Sequence, residues 1–321
     1  MLEAYLQKLS NLRTDRGRDR YPSATNHRAP HKPFLLLSIL DLITQGIVQD
    51  NFIEPSFELV DTWNGYWQAV MPIGGKSTMA YPFPRLRSDG FWKLIANTGY
   101  DPESDYNVSS MAKCREIYAG AKLDDELFQY MVLPNSREKL GTILVQTYFH
   151  PKIQSVVIAQ GITNQAAYKY ARELVGQVAE DAKAFNDISE DNARQVRDAG
   201  FRKAIVRLYD HRCAMCGIRM LTPEGHTVVE AAHVIPWRDS HDDKPTNGLC
   251  LCRLCHWSFD EGLMSVGREY EVLVSDRVRL NNNIPAHIQP LADRQIFTPA
   301  VEKFWPAQSN LHHHRNRVFV Q

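Results

Sequence analysis

Four of the six cysteines constrain this chain more than any other feature. They form two C-x-x-C pairs, Cys213/Cys216 in RCAMCG and Cys252/Cys255 in CRLC, separated by a domain-sized gap. One tight turn of that spacing presents two thiolates to a single tetrahedral ion, and two such turns complete a zinc site. Disulfides belong to oxidising compartments, and the N-terminus shows no secretion-like segment. The expectation is therefore a structural Zn2+ held by Cys213, Cys216, Cys252 and Cys255, and a cytoplasmic protein. Cys250 falls outside both pairs, and Cys114 reads as an ordinary buried thiol.

The stretch from Val228 to Gly262 adds chemistry to this staple. Glu230-Ala-Ala-His233 reads as a strand that breaks at Pro236. The polar, turn-rich segment from Asp239 to Gly248 contains Asn247, and CHWSFDEG opens a short helix. On that helix His256 and Asp260 lie four residues apart, hence on one face. Hydrolysing a phosphodiester needs an activated water, neutralisation of charge at the phosphate and stabilisation of the leaving oxygen. His256 and Asp260 would hold a catalytic Mg2+, Mn2+ or Zn2+. A zinc module that binds DNA without cutting it is the competing reading of the same residues.

This constellation resembles the HNH nuclease family, in the branch that carries A-A-H-I/V-I-P. The resemblance implies a ββα-metal fold in which His233 is the general base, Asn247 orders the loop and orients the water, and His256 is a metal ligand. Ala232 departs from the pattern, because many members carry Asp or His there as a second ligand. Asp260 or Glu230 would complete the coordination.

At 321 residues and 36.8 kDa the chain is long enough for two domains. With 37 Lys+Arg against 37 Asp+Glu, its formal net charge is zero. DNA contact must then rest on local basic patches rather than on bulk charge. No apolar run approaches the roughly 20 residues of a membrane span, so no membrane partner is expected. Internal repeats and phosphate-cradling glycine loops are absent, which argues against ATP or GTP dependence.

The N-terminal half opens with apolar positions at Leu2, Tyr5, Leu6, Leu9 and Leu12, one face of a helix. A basic loop leads into HRAPHKP and then the apolar FLLLSILDLITQG, with Pro33 in the first helical turn and Gly46 as C-cap. A second helix is expected from Glu54 to Trp67. Tyr81 to Trp92 reads as two short strands around a Ser88-Asp89-Gly90 turn. Arg28, Lys32, Arg85 and Arg87 interleave with Tyr81, Phe83 and Trp92, which reads either as a DNA-backbone surface or as buried aromatics beside a solvated arginine loop.

HRAPHKPFLLLSIL followed by YPFPRLRSDGFW is similar to the sulfur-binding domains fused to HNH nucleases. Those domains recognise phosphorothioated DNA, and the similarity covers about the first 150 residues. It implies an apolar wall from Tyr81 and Pro82, with His27 and Arg28 beside it. It also implies base-edge reading by His31, Arg85 or Arg87. Sulfur is larger, more polarisable and less hydrated than oxygen, so apolar surface penalises it less.

Helical patterns dominate residues 104–160, with Ser136 to Phe149 one amphipathic element and Thr163 to Phe185 another, capped at Thr163. The polar stretch from Asn186 to Arg194 is the expected domain boundary. The closing Leu311-His-His-His-Arg-Asn-Arg-Val-Phe resembles the end of related HNH restriction enzymes. The fold class expected is α+β: a mainly helical N-terminal domain with a small antiparallel sheet, and a C-terminal ββα-metal domain with a four-cysteine zinc site. Its parts are a sulfur-binding domain at 1–160, a helical linker at 161–199 and an HNH endonuclease domain at 200–321. The partner expected is double-stranded DNA bearing a phosphorothioate, with a modified base held in a pocket of stacking aromatics as the alternative mark. Cutting both strands with one site per chain would favour a homodimer.

Overall fold

The computed structural model of the chain describes residues 1–176, 190–280 and 283–320. It divides into two compact units: residues 1–165 with 223–226, and residues 166–222 with 227–321. About half of the described residues are helical, and among them the strands form three small antiparallel pairs.

The first unit comprises α1 (Leu2–Ser10), α2 (His31–Thr44), α3 (Phe57–Val70), α4 (Pro82–Arg85), β1 (Trp92–Ala96), α5 (Met111–Ile117), β2 (Tyr118–Leu123), α6 (Asp125–Val132) and α7 (Pro134–Tyr148). The helix α8 (Pro151–Leu174) begins here and ends in the second unit. Every residue of α2 from Lys32 to Ile43 is buried, so this helix is the axis of the unit. The Phe34 ring stacks on Phe149 at 5.2 Å and on Tyr66 at 5.9 Å. Pro33 stands in the first turn, where its missing N–H breaks no helical bond.

Several boundaries differ from the sequence reading. The second helix starts at Phe57 rather than Glu54, because the Ser56 side chain caps it by accepting from the Leu59 N–H. Tyr81 to Trp92 is not a hairpin. Pro82 and Pro84 hold helical φ and lack donors for a ladder, so the segment forms α4 and a 3-10 turn closed by Gly90 at φ 79°. Only Trp92–Ala96 is a strand, and its partner is the distant β2, with Trp92 opposite Leu123. Thr163 lies within α8, which Pro151 opens; residues 177–185 of that expected helix are outside the described residues. The expected boundary at 186–194 is also partly outside them, and α9 already runs from Glu190.

One buried carboxylate marks the first unit. Asp41, on α2, accepts from the Tyr66 hydroxyl at 2.9 Å and the Asn164 amide at 2.8 Å. Burial pushes its carboxyl up from the ordinary range to about 7. A raised carboxyl stabilises the fold while protonated, so its contribution is complete below about pH 4 and is lost as pH rises through about 7. Asp41→Asn is expected to flatten this dependence. Thermal melting of both proteins across that range checks it, and an unchanged slope in the variant would reject the assignment.

The second unit contains α9 (Glu190–Leu208), β3 (Val229–His233), α10 (Trp237–Ser240), β4 (Gly248–Cys252), α11 (Arg253–Asp260), β5 (Met264–Val266), β6 (Val272–Val274) and α12 (Gln308–Arg317). β3 and β4 pair antiparallel from Val229–Cys252 to His233–Gly248, and α11 follows β4 directly. This is a ββα arrangement. Glycine at 248 lets α9 approach, since a Cβ there would collide with Ile205 and Phe201. Among the described residues, no helix is long and apolar enough to cross a membrane.

Candidate metal centre and nucleic-acid interface

The four paired cysteines converge. The Sγ atoms of Cys213, Cys216, Cys252 and Cys255 all lie within 4.8 Å of one another. The first pair sits in a turn where Gly217, at φ 76°, donates its N–H to the Cys213 carbonyl. The Ala214 N–H donates to the Cys250 carbonyl on β4 and docks this turn on the hairpin. Cys252 ends β4 and caps α11, and Cys255 lies in the first turn of that helix. The sulfurs fit zinc: a tetrahedron with bonds of about 2.3 Å spaces its sulfurs by about 3.8 Å, and Cys216 and Cys252 are 3.7 Å apart. Hydrogen bonding with Cys213 pulls the Cys216 thiol below its ordinary value. Cys250 is a buried strand residue, and burial raises the Cys114 thiol to about 12.

Asn247 is fully buried at the entry to β4. Its Oδ1 accepts the Ile235 N–H at 3.0 Å, and its Nδ2 donates to the carbonyls of Ile235 and Asp242. Both ends of the side chain are committed to the loop. Asn247 therefore ties down the loop that begins two residues after His233.

His233 closes β3. Its ring lies flat on Phe201 of α9, with centroids 3.9 Å apart and planes 7° from parallel. Its Nε2 meets Asp243 Oδ1 at 2.7 Å. The other oxygen of Asp243 accepts from the Tyr170 hydroxyl at 2.8 Å and lies 3.7 Å from Arg197 Nε. None of these partners was legible beforehand. Asp243 is one of two adjacent aspartates in a polar loop, and nothing in the sequence separates it from Asp242.

His256 stands between two carboxylates. Its Nδ1 is 3.5 Å from Glu230 Oε2, and its Nε2 is 3.5 Å from Asp260 Oδ2. An imidazole binds a metal through one nitrogen, so these pairs would be alternative ligand sets; the carboxylate oxygens suit Mg2+ or Mn2+ and the imidazole suits Zn2+. Burial raises the Asp260 carboxyl. Three positions separate Glu230 from His233, so the pleat sends them to opposite faces, Glu230 toward α11 and His233 toward α9.

In the first unit the expected recognition residues take different roles. Tyr81 is 40% exposed, while its neighbour Pro82 is buried. The Arg85 guanidinium lies 5.6 Å from the Tyr81 ring centroid and donates to its carbonyl. His31 packs edge-on to Tyr81 at 6.1 Å, against Trp67 at 4.9 Å, and bonds Ser77 at 2.8 Å. Burial lowers His31 to about 4, which keeps it neutral near pH 7. His27 takes a left-handed backbone at φ 55°, with Nδ1 3.0 Å from the Tyr21 carbonyl. The Arg28 guanidinium lies 5.7 Å from the Tyr148 ring.

Two basic residues are occupied inside the fold. Arg87 donates to the carbonyls of Pro102, Glu103 and Ser104 and pairs with Asp105, so it pins that loop instead of presenting a free fork. Lys32 is buried and pairs at 2.6 Å with Asp89, whose side chain is 3% exposed, which removes it from the basic surface. In the closing histidine run, His314 is buried between Ser265 and the Phe259 carbonyl and stacks on the Phe259 ring at 3.6 Å. It buttresses α11 from the side away from solvent.

Comparison with known proteins bears on the second unit. Residues 213–267 match the family described as HNH endonuclease, so the second unit carries an HNH endonuclease domain. No curated protein matches the chain. Solved structures similar to it include the modification-dependent TagI restriction endonuclease, at 24% identity with a TM-score of 0.29. That alignment covers 38% of this chain and 39% of the other.

Proposed function

We propose that this chain is a metal-dependent DNA endonuclease that cleaves near a phosphorothioate in double-stranded DNA. The observation that carries the nuclease half is the HNH hairpin, with His233 at the end of β3 and His256 flanked by Glu230 and Asp260 on α11. His233 takes the proton of the attacking water, and Asn247 fixes the loop that positions it. His256 with Asp260 or Glu230 holds a divalent ion, which when bound neutralises charge on the phosphate and the leaving oxygen. The four cysteines hold a structural zinc.

Recognition falls to residues 1–160, with 161–199 as linker and 200–321 as nuclease. Half-exposed Tyr81, with Arg85 over its ring, supports the sulfur reading. Such a surface offers apolar contact to sulfur and a cation to its charge. Arg28 and His27 belong to the same reading through the HRAPHKP resemblance. The chain acts in the cytoplasm, and two copies would cut the two strands.

The test uses two duplexes that differ by one phosphorothioate linkage, with Mg2+ or Mn2+ at fixed salt, because phosphate contacts make affinity strongly salt-dependent. Tight binding and cutting of the sulfur-bearing duplex alone is the expected result. Equal treatment of both duplexes would sink the sulfur reading and leave only the nuclease. Binding without cutting under any divalent ion would sink the nuclease.

A further inference from the structure

We propose that Asp243 is the positioning residue of the nuclease centre: it orients His233 through Nε2 and leaves Nδ1 to accept the proton of water. This rests on the reading of His233 as the general base. An imidazole acts as a base only with one nitrogen unprotonated and aimed at the reaction, and the bond made by the other nitrogen sets which one that is. At 2.7 Å from Asp243 Oδ1, Nε2 carries the proton and the acceptor is Nδ1. A carboxylate in that place also stabilises the imidazolium that forms when the water gives up its proton.

The surroundings of Asp243 have the rigidity this role requires. The carboxylate side chain is only 4% exposed, and its second oxygen is held by Tyr170 of α8 and faced by Arg197 of α9. Arg197 is in turn fixed over the Trp237 ring at 3.5 Å. Four residues further along α9, Phe201 is the platform beneath His233, so one helical face supplies both the counter-ion and the ring support. Tyr170, Arg197 and Phe201 all lie outside residues 213–267, the segment that matches the HNH family. The base is thus held from outside the family segment.

The experiment compares the full-length zinc-loaded wild type with Asp243→Asn, Asp243→Glu, Tyr170→Phe, His233→Ala and the double variant His233→Ala/Asp243→Asn. It measures single-turnover cleavage and, separately, DNA Kd, zinc content and melting temperature. Asp243→Asn is expected to slow cleavage by about 10²–10⁴-fold, with DNA Kd and zinc content unchanged. Asp243→Glu restores part of the rate, and Asp243→Asn costs nothing further once His233 is gone. Tyr170→Phe keeps the carboxylate but loosens it, and slows cleavage by about tenfold. If Asp243→Asn does not fold, Tyr170→Phe decides alone. A wild-type rate in a folded Asp243→Asn, or an undiminished effect in the His233→Ala background, overturns the proposal. Full activity in His233→Ala overturns the underlying reading of His233 as well, which separates the two failures.

Discussion

His233→Ala is expected to slow DNA cleavage by about 10³-fold or more, with DNA affinity, zinc content and melting temperature close to wild type. Removing a positioned general base typically costs 10²–10⁴-fold. The ring is only partly buried at the end of β3, with one face on Phe201, so truncation removes one stacking contact and leaves the hairpin ladder intact. It also leaves Asp243 with Tyr170 and Arg197, so the buried carboxylate keeps partners. The effect should therefore fall on the chemical step. His256→Ala provides the contrast: its loss should be partly reversed by raising the divalent ion concentration, whereas His233→Ala should not respond. Wild-type cleavage by His233→Ala, or a loss explained by weaker DNA binding, would remove His233 from the mechanism.

The second large effect is expected from the zinc site. Stripping the metal with a chelator, or replacing Cys213 or Cys255 with serine, should unfold the second unit and abolish cleavage. The first unit should keep its own melting transition. The turn carrying Cys213 and Cys216 connects α9 to the hairpin, while Cys252 and Cys255 straddle the β4–α11 junction that places His256. The strands here are five residues or shorter, and Cys213, Cys252 and Cys255 lie within the unit's buried apolar cluster, so a bound ion would tie the turn, β4 and α11 to that core. Structural zinc binding is typically worth about 10–16 kcal/mol, which appears as folding free energy. Cys250→Ala is the control. Cys250 packs in β4 outside the four-sulfur cluster, and its substitution should leave one zinc per chain. A Cys213→Ser protein that keeps a folded second unit and full activity would rule out a structural zinc.

The four-cysteine cluster and the broad class of this protein were legible in the sequence because both depend on short-range spacing. A C-x-x-C pair keeps its two thiols within reach of one ion, whether in a turn as at Cys213/Cys216 or across a strand–helix junction as at Cys252/Cys255. The i,i+4 relation of His256 and Asp260 needs only a helix, and the structure places them 3.5 Å apart. The apolar run after Pro33 had to be buried, and α2 is. Short-range rules failed where two answers were locally allowed. Tyr81 to Gly90 alternates like a strand, yet two prolines without ladder donors made it a helical turn. The strand β2 was missed because its partner β1 lies a whole helix away in sequence.

Charge and polar roles were the least legible, because they depend on which distant groups meet. Lys32 and Arg87 read as free cations and proved to be tied to Asp89 and to the 102–105 loop. His31 read as a base reader and proved to be a mostly buried ring whose charge burial suppresses. Glu230 and His256 met across β3 and α11, and Asp243 met His233 only because β3, β4 and the loop between them closed on α9. The sequence by itself determined the chemistry available: four thiolates at zinc spacing, an imidazole at a strand end, and an imidazole and a carboxylate on one helical face. Tertiary structure decided which imidazole nitrogen of His233 meets Asp243, because hydrogen bonds act through atoms within about 3 Å and no spacing rule brings residues 170, 197, 201, 233 and 243 together.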